Sequence, residues 1–205
     1  MTVDAAVKPP QLRASVTRSR ILSTAASLFD RHGYAATSLN DICTGNLTKG
    51  AVYYHFSSKE DIAAALVDGW VVSATHVRTA VTVDPDLIAG DAVAEALVPR
   101  LATIADQSVI LRAGLKLTLD PQCAAVDGYR RWTELVEQTV DVAIDNGHFI
   151  DSPASRAAGP ALCAVLVGHL LAPPQGESFP ARVAQTTRTL LRTLIPTPTP
   201  EEPSA

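Results

Sequence analysis

Apolar residues recur along this chain at helical spacing almost from end to end. Ile21, Leu22, Ala25, Leu28 and Phe29 fall at i, i+1, i+4, i+7 and i+8, which predicts an amphipathic helix over 13–32 that stops at Gly33. Two short segments follow, 38–45 and 48–55, each opened or preceded by a Ser or Thr able to cap a helix. Ser58-Lys-Glu-Asp61 resembles a capping box, and it starts a long helix reaching about residue 80 with Ile62, Leu66, Trp70, Ser73 and Val77 along one side. Beyond Pro85 the pattern predicts helices at 87–106, 108–119, 127–146, 154–171 and 180–195. In 127–146 the stripe is long: Trp132, Leu135, Val136, Thr139, Val140, Ala143 and Ile144, closed by Asn146-Gly147. No run alternates apolar and polar residues between hairpin turns, and no segment repeats. The fold class expected is all-α. The polar, Pro-containing ends, 1–11 and 196–205, are expected to be disordered tails. Between them lie a small N-terminal domain at 12–57 and a larger helical domain at 58–195.

Composition narrows the picture. With 47% hydrophobic and 19% charged residues over 205 positions, the chain has enough apolar surface to offset the entropy of ordering. Its longest apolar run, 157–172, contains Gly159, Pro160 and His169 and is shorter than the roughly 20 residues a membrane span needs. The N-terminus lacks a basic segment followed by an apolar one, so a cytoplasmic location is expected. Cys43, Cys123 and Cys163 are too few and too scattered for a disulfide framework or a zinc knuckle. Charge is uneven: seven basic against four acidic side chains give residues 1–60 a charge of +3, while ten against seventeen give the remainder −7. A basic head on an acidic body suits a polyanion-binding module joined to one that is not.

The head contains YAATSLNDICTGNLTKGAVYYHFSSKE, from Tyr34 to Glu60. Two short helices joined by a Gly-Asn turn behind a longer buttressing helix form a helix-turn-helix, which lays its second helix in the major groove of DNA. The residue types suit the task. Lys49 brings a cation, Gly50 lets backbone approach a phosphate, Tyr53 and Tyr54 offer hydroxyls and rings, and amides at the helix start near Thr48 can bind a phosphate. Thr37 or Ser38 caps the first short helix, a role compatible with donating to a phosphate. Lys59 stands in the first turn of its helix, where its charge opposes the dipole; a phosphate partner would account for it, as would simple exposure.

From Arg18 to Glu60 the sequence resembles the DNA-binding domain of the TetR family of bacterial repressors. That resemblance implies duplex operator DNA as partner, contacted by Arg18, Thr37, Ser38, Thr48, Lys49, Gly50, Ala51, Tyr53, Tyr54 and Lys59, and a homodimer released from DNA by a small-molecule inducer. RAGLKLT at 112–118, followed by Trp132, resembles the γ-butyrolactone-receptor branch, which implies a pocket for a lactone-like signal at Trp132, with Trp70, His169, Leu66 and Val165 as further lining. One departure stands out. Family members carry one more residue between the isoleucine matching Ile42 and the threonine matching Thr48, so the second helix is expected to end early, at Gly45.

Plainer alternatives exist for most of these residues. Tyr53, Tyr54, His55 and Phe56 could simply pack; Trp70 and Trp132 could be core; His169 could be satisfied within the protein. Cys43 is a small buried hydrophobe sooner than an oxidation switch. For a dimer, 161–171 is apolar nearly all round, with Ala164, Val167 and Leu171 on a side away from Leu162, Val165 and Leu166. Val183, Thr187, Leu190, Leu191 and Leu194 offer a complementary stripe. Neither a phosphate loop, a zinc helix nor a nucleophile elbow is present, so no enzyme, cofactor or metal is expected. A helical small-molecule or lipid carrier is the alternative function, and it leaves the Arg18 to Glu60 segment unexplained.

Overall fold

The structure, a computed structural model, describes residues 10–44, 47–84, 90–123, 127–173 and 176–194. Residues 1–9 and 196–205 of the expected tails, residue 195 at the end of the last expected helix, the Gly45 turn and the break at Pro85 lie outside them. Every regular element among the described residues is a helix: α1 Pro10–His32, α2 Leu39–Ile42, α3 Lys49–His55, α4 Lys59–Thr82, α5 Gly90–Gln107, α6 Val109–Leu117, α7 Gly128–Asp145, α8 Pro153–Arg156, α9 Ala158–Leu171 and α10 Phe179–Leu191.

Several boundaries differ from the sequence pattern, among them the last helix, which ends at Leu191 rather than 195, and three of them have a local physical reason. The first helix begins at Pro10 rather than 13, because proline's fixed φ and missing N–H suit a first helical position. The expected 38–45 helix is a single turn. At Ile42 it gives way to Cys43, whose N–H bonds to Leu39 and Asn40, while Thr44 N–H folds back onto the Ile42 carbonyl. The expected 154–171 helix is two pieces. Ser152 caps α8, and α9 restarts at Ala158 because Pro160 has no N–H to give the Arg156 carbonyl.

The helices assemble into two compact units. One comprises the chain up to Trp70 together with Ser108–Tyr129; the other comprises Val71–Gln107 and the chain from Arg130 on. This division crosses the expected boundary at 57/58, since the first half of α4 and all of α6 pack with the N-terminal helices. In the first unit Ile21, Ala25 and Phe29 of α1, Ile42 of α2, Val52 of α3 and Ile62 and Leu66 of α4 share one core, joined by Ala113 and Leu117 of α6.

α6 is seated closely on both of its neighbours. At Gly114 a Cβ would collide with the Leu66 carbonyl oxygen of α4, so only glycine allows this approach. On the α1 side Asp30 takes two cations one helical turn apart. Arg112 Nη2 lies 3.0 Å from Asp30 Oδ2 and Lys116 Nζ 2.8 Å from Oδ1, and Lys116 also donates to the Asp30 carbonyl at 3.2 Å. That carbonyl belongs to the last turn of α1, where a cation complements the helix dipole.

In the second unit α10 packs on α5 and α9. Trp132, Leu162 and Leu166 are buried there, and Gly159 lets α9 pass close to Glu137 of α7. Cys163 is buried too. Burial, with the nearby Glu137 charge, pushes its thiol up to about 12.

Burial alone would raise the Asp30 carboxyl, but the hydrogen bonds and charges of Arg112 and Lys116 outweigh it and hold the group below its ordinary range. A carboxylate depressed in the folded state contributes stability above its unfolded value, about 3.9, and loses it as pH falls through the folded one. Asp30→Asn is therefore expected to lower stability at pH 7 by about 1–2 kcal/mol. In urea denaturation the gap from the parent protein should close as pH drops below about 4.

Candidate nucleic-acid interface

The geometry of the helix-turn-helix starts at Gly33, whose φ of +83° ends α1 and whose N–H bonds to the Phe29 carbonyl. Tyr34 then turns inward. Its hydroxyl donates to Glu60 Oε1 at 2.9 Å, and burial together with that bond raises the phenol above its ordinary pKa. Lys59 Nζ donates to the Tyr34 carbonyl at 3.0 Å and lies 4.0 Å from the ring centroid. These contacts account for a lysine in the first turn of α4 with no phosphate required.

Ser38 is the cap of α2. Its hydroxyl accepts from the Asp41 N–H, and Asp41 returns the bond to the Ser38 N–H at 2.8 Å. Hydrogen bonds from the Ser38 side chain and backbone hold the Asp41 carboxyl below its usual range. Thr37 takes no part in capping. It is 3% exposed and its hydroxyl donates to the Gly33 carbonyl at 2.9 Å, so of the two residues expected as cap the role falls to Ser38 and Thr37 faces inward.

Thr48 caps α3, its Oγ1 accepting from the Ala51 N–H at 3.2 Å. Seven residues are too few for a helix to persist by itself, so α3 depends on what it buries. Val52 and Phe56 enter the core, and Arg18 of α1 lies 5.0 Å over the Phe56 ring. Opposite them Lys49 and Gly50 are exposed, with open space around Gly50, and Tyr53 and Tyr54 are 58% and 80% exposed. Tyr54 meets half-buried His55 edge to face at 4.9 Å. A cation, two phenols and a helix start without a side chain at its second residue thus share one open surface.

The residues expected at a ligand pocket are spread through the molecule. Leu66 and Trp70 are buried in the first unit, and Trp132 is buried in the second. Val165 and His169 do come together, in a groove of about 290 Å³ between α9 and α10 that Ala164, Gly168, Ala172 and Arg182 complete. His169 Nε2 lies 2.9 Å from Thr186 Oγ1, so the histidine finds its partner within the protein. The stripe expected to meet a second copy is also largely used up. Val183, Thr187, Leu191 and Leu194 are buried within the second unit, whereas Ala164 and Leu171 of α9 remain exposed.

Sequence reasoning missed the Tyr34, Glu60 and Asp30 partnerships. The i, i+4 spacing of Arg112 and Lys116 was the available signal for the last, since it puts two cations on one face of a helix.

Residues 21–66 match the family described as bacterial regulatory proteins, tetR family. The A-factor receptor protein of Streptomyces griseus is 46% identical over 59 residues, which are 28% of this chain and 21% of that protein. The HTH-type transcriptional regulator TtgR of Pseudomonas putida is 33% identical over 36% of each chain. The chain thus spans between about a fifth and about a third of the length of these curated relatives. Likeness of fold extends further. A solved γ-butyrolactone receptor (ArpA-like protein) superposes with a TM-score of 0.76 at 26% identity, over 90% of both chains. The TetR family protein CprB from Streptomyces coelicolor, also solved in complex with its biological operator sequence, gives 0.75 at 28% identity over 90% of this chain and 91% of its own. Fold and surface together define an all-α helix-turn-helix protein. Its N-terminal segment matches the tetR family of bacterial regulatory proteins over residues 21–66, and the whole chain resembles the solved γ-butyrolactone receptor and CprB.

Proposed function

We propose that this chain is a ligand-responsive transcriptional repressor that binds duplex operator DNA as a homodimer and leaves it when a small molecule occupies the second unit. The observation that carries the proposal is the outer face of α3. Lys49, Tyr53 and Tyr54 project from a helix whose opposite face is fixed in the core, an arrangement suited to phosphates and major-groove edges. The same reading explains why two tyrosines stay exposed on a chain with only 5% aromatic residues. Ser38, Thr48, Gly50 and Ala51 are the flanking positions in this scheme. Two such helices in a symmetric pair would enter successive major grooves about 34–36 Å apart. A cytoplasmic location belongs to this reading, because a repressor must reach operator DNA. No helix among the described residues is long and apolar enough to cross a membrane.

Dimerisation rests on α9, whose outer side carries Ala164, Gly168 and Leu171, the last 64% exposed. For the ligand, the second unit offers buried Trp132 and the buried Thr187 hydroxyl, which has no hydrogen-bond partner among the described residues. An indole gives broad apolar contact and a hydroxyl fixes one polar group, as a small lactone-like signal would need. The expected domains, 12–57 for DNA and 58–195 for ligand and dimer, then describe roles, and packing divides the chain elsewhere.

Three measurements test the proposal. Lys49→Ala should weaken binding to a duplex selected by the parent protein from sheared genomic DNA, and should reduce the slope of log affinity against log salt by about one. A duplex that binds both proteins alike at all salt concentrations removes Lys49 from the interface, and failure to select any duplex favours the helical carrier. Sedimentation should find a dimer at micromolar concentration, and a stable monomer contradicts the α9 interface. Trp132→Ala should keep DNA affinity yet lose release by a γ-butyrolactone that frees the parent protein, where the expected effect is about 5- to 150-fold.

A further inference from the structure

RAGLKL, the segment singled out in the sequence for its resemblance alone, has a definite physical job in the structure. Its residues alternate between two neighbours in the first unit. Ala113 and Leu117 enter the core, Gly114 rests on the α4 backbone at Leu66, and Arg112 and Lys116 grip Asp30 of α1. Arg112 binds through two atoms, Nε at 3.2 Å from both carboxylate oxygens and Nη2 at 3.0 Å from Oδ2. A fork of this kind fixes orientation as well as distance. All three side chains are partly shielded, with 18%, 30% and 33% of Asp30, Arg112 and Lys116 exposed, so solvent screens the pairs less than at an open surface. Asp30 directly follows Phe29, a core residue shared with Ile42 and Val52, the inward anchors of α2 and α3.

We propose that the DNA-reading lobe of this chain is discontinuous, completed by α6, and that Asp30, Arg112 and Lys116 are positioning residues that set α1, and through it α3, without touching DNA. The proposal rests on the DNA-binding reading above. Since the cations of α6 are spent on Asp30, the charge offered to a phosphate comes from elsewhere in the lobe. A clamp that holds α1 at its C-terminal turn also fixes where the Gly33 turn begins, and so the start of the segment that carries α2 and α3.

The test uses full-length protein, below the temperature at which each variant begins to unfold, with the duplex selected by the parent protein. Asp30→Asn should lower affinity about tenfold with the salt slope unchanged, because no phosphate contact is lost. Asp30→Glu, which keeps the charge, should recover most of it. Amides of 49–55 should exchange faster in Asp30→Asn, while those of 158–171 keep their protection. Lys116→Gln repeats the measurement should Asp30→Asn fail to fold. Unchanged affinity overturns the positioning role, as does failure of Asp30→Glu to recover it. A salt slope reduced by about one reassigns the α6 cations to DNA and equally overturns it. Hydrogen exchange separates this proposal from the functional one: if the parent protein binds no duplex, DNA binding fails, and faster or unchanged exchange at 49–55 still decides whether the clamp positions α3.

Discussion

Helices as short as α2 and α3 cannot pay for their own nucleation in water, so everything on their outer surface depends on the core beneath them. That core is built from single anchors: Ile42 for α2, Val52 and then Phe56 for α3, each set among Ile21, Ala25 and Phe29. Caps remove the remaining cost at the helix starts. Ser38 with Asp41 and Thr48 with Ala51 satisfy backbone donors that a one- or two-turn helix would otherwise leave open in large proportion. Lys49, Tyr53 and Tyr54 are thus displayed by buried anchors working with exposed caps at the helix starts.

Much of this was legible in the chain. The Ile21 to Phe29 spacing located the α1 core face, and six of the seven positions in the Trp132 to Ile144 stripe are buried, with Leu135 half-buried. Periodicity succeeds there because a helix with one wet side must repeat near 3.6 residues. It fails where the deciding bond is not apolar. The division of 153–171 into two helices comes from one missing N–H at Pro160, and the early end of α2 from local hydrogen bonds at Cys43 and Thr44, neither of which disturbs the apolar rhythm.

Site residues divide in the same way. The Thr48 cap of α3 was recognisable, whereas the sequence left open whether Tyr53 and Tyr54 pack or stay exposed, and the structure leaves both exposed. Thr37 and Ser38 were interchangeable in sequence, and only geometry assigns the cap to one and burial to the other. Pairs far apart in the chain, such as Tyr34 with Glu60, leave no local trace in a single sequence, and the spacing of Arg112 and Lys116 marks a cationic face without naming Asp30 as its partner. For α10 the apolar stripe was evident, but a stripe does not say whether its partner is the same subunit or another; here α5 and α9 of the same unit already cover it.

The cysteines give this architecture a chemical signature. Cys163 sits in the second unit, buried and with a thiol that resists ionisation, whereas Cys43 is half-buried against the core of the first. Because the thiolate is the reactive form, an alkylating reagent meets a native barrier at Cys163 that is both steric and electrostatic. Labelling there marks moments when the second unit opens, while Cys43 answers to smaller excursions at the end of α2. Once peptide mapping separates them from Cys123, the two sulfurs therefore serve as intrinsic clocks for separate parts of one chain.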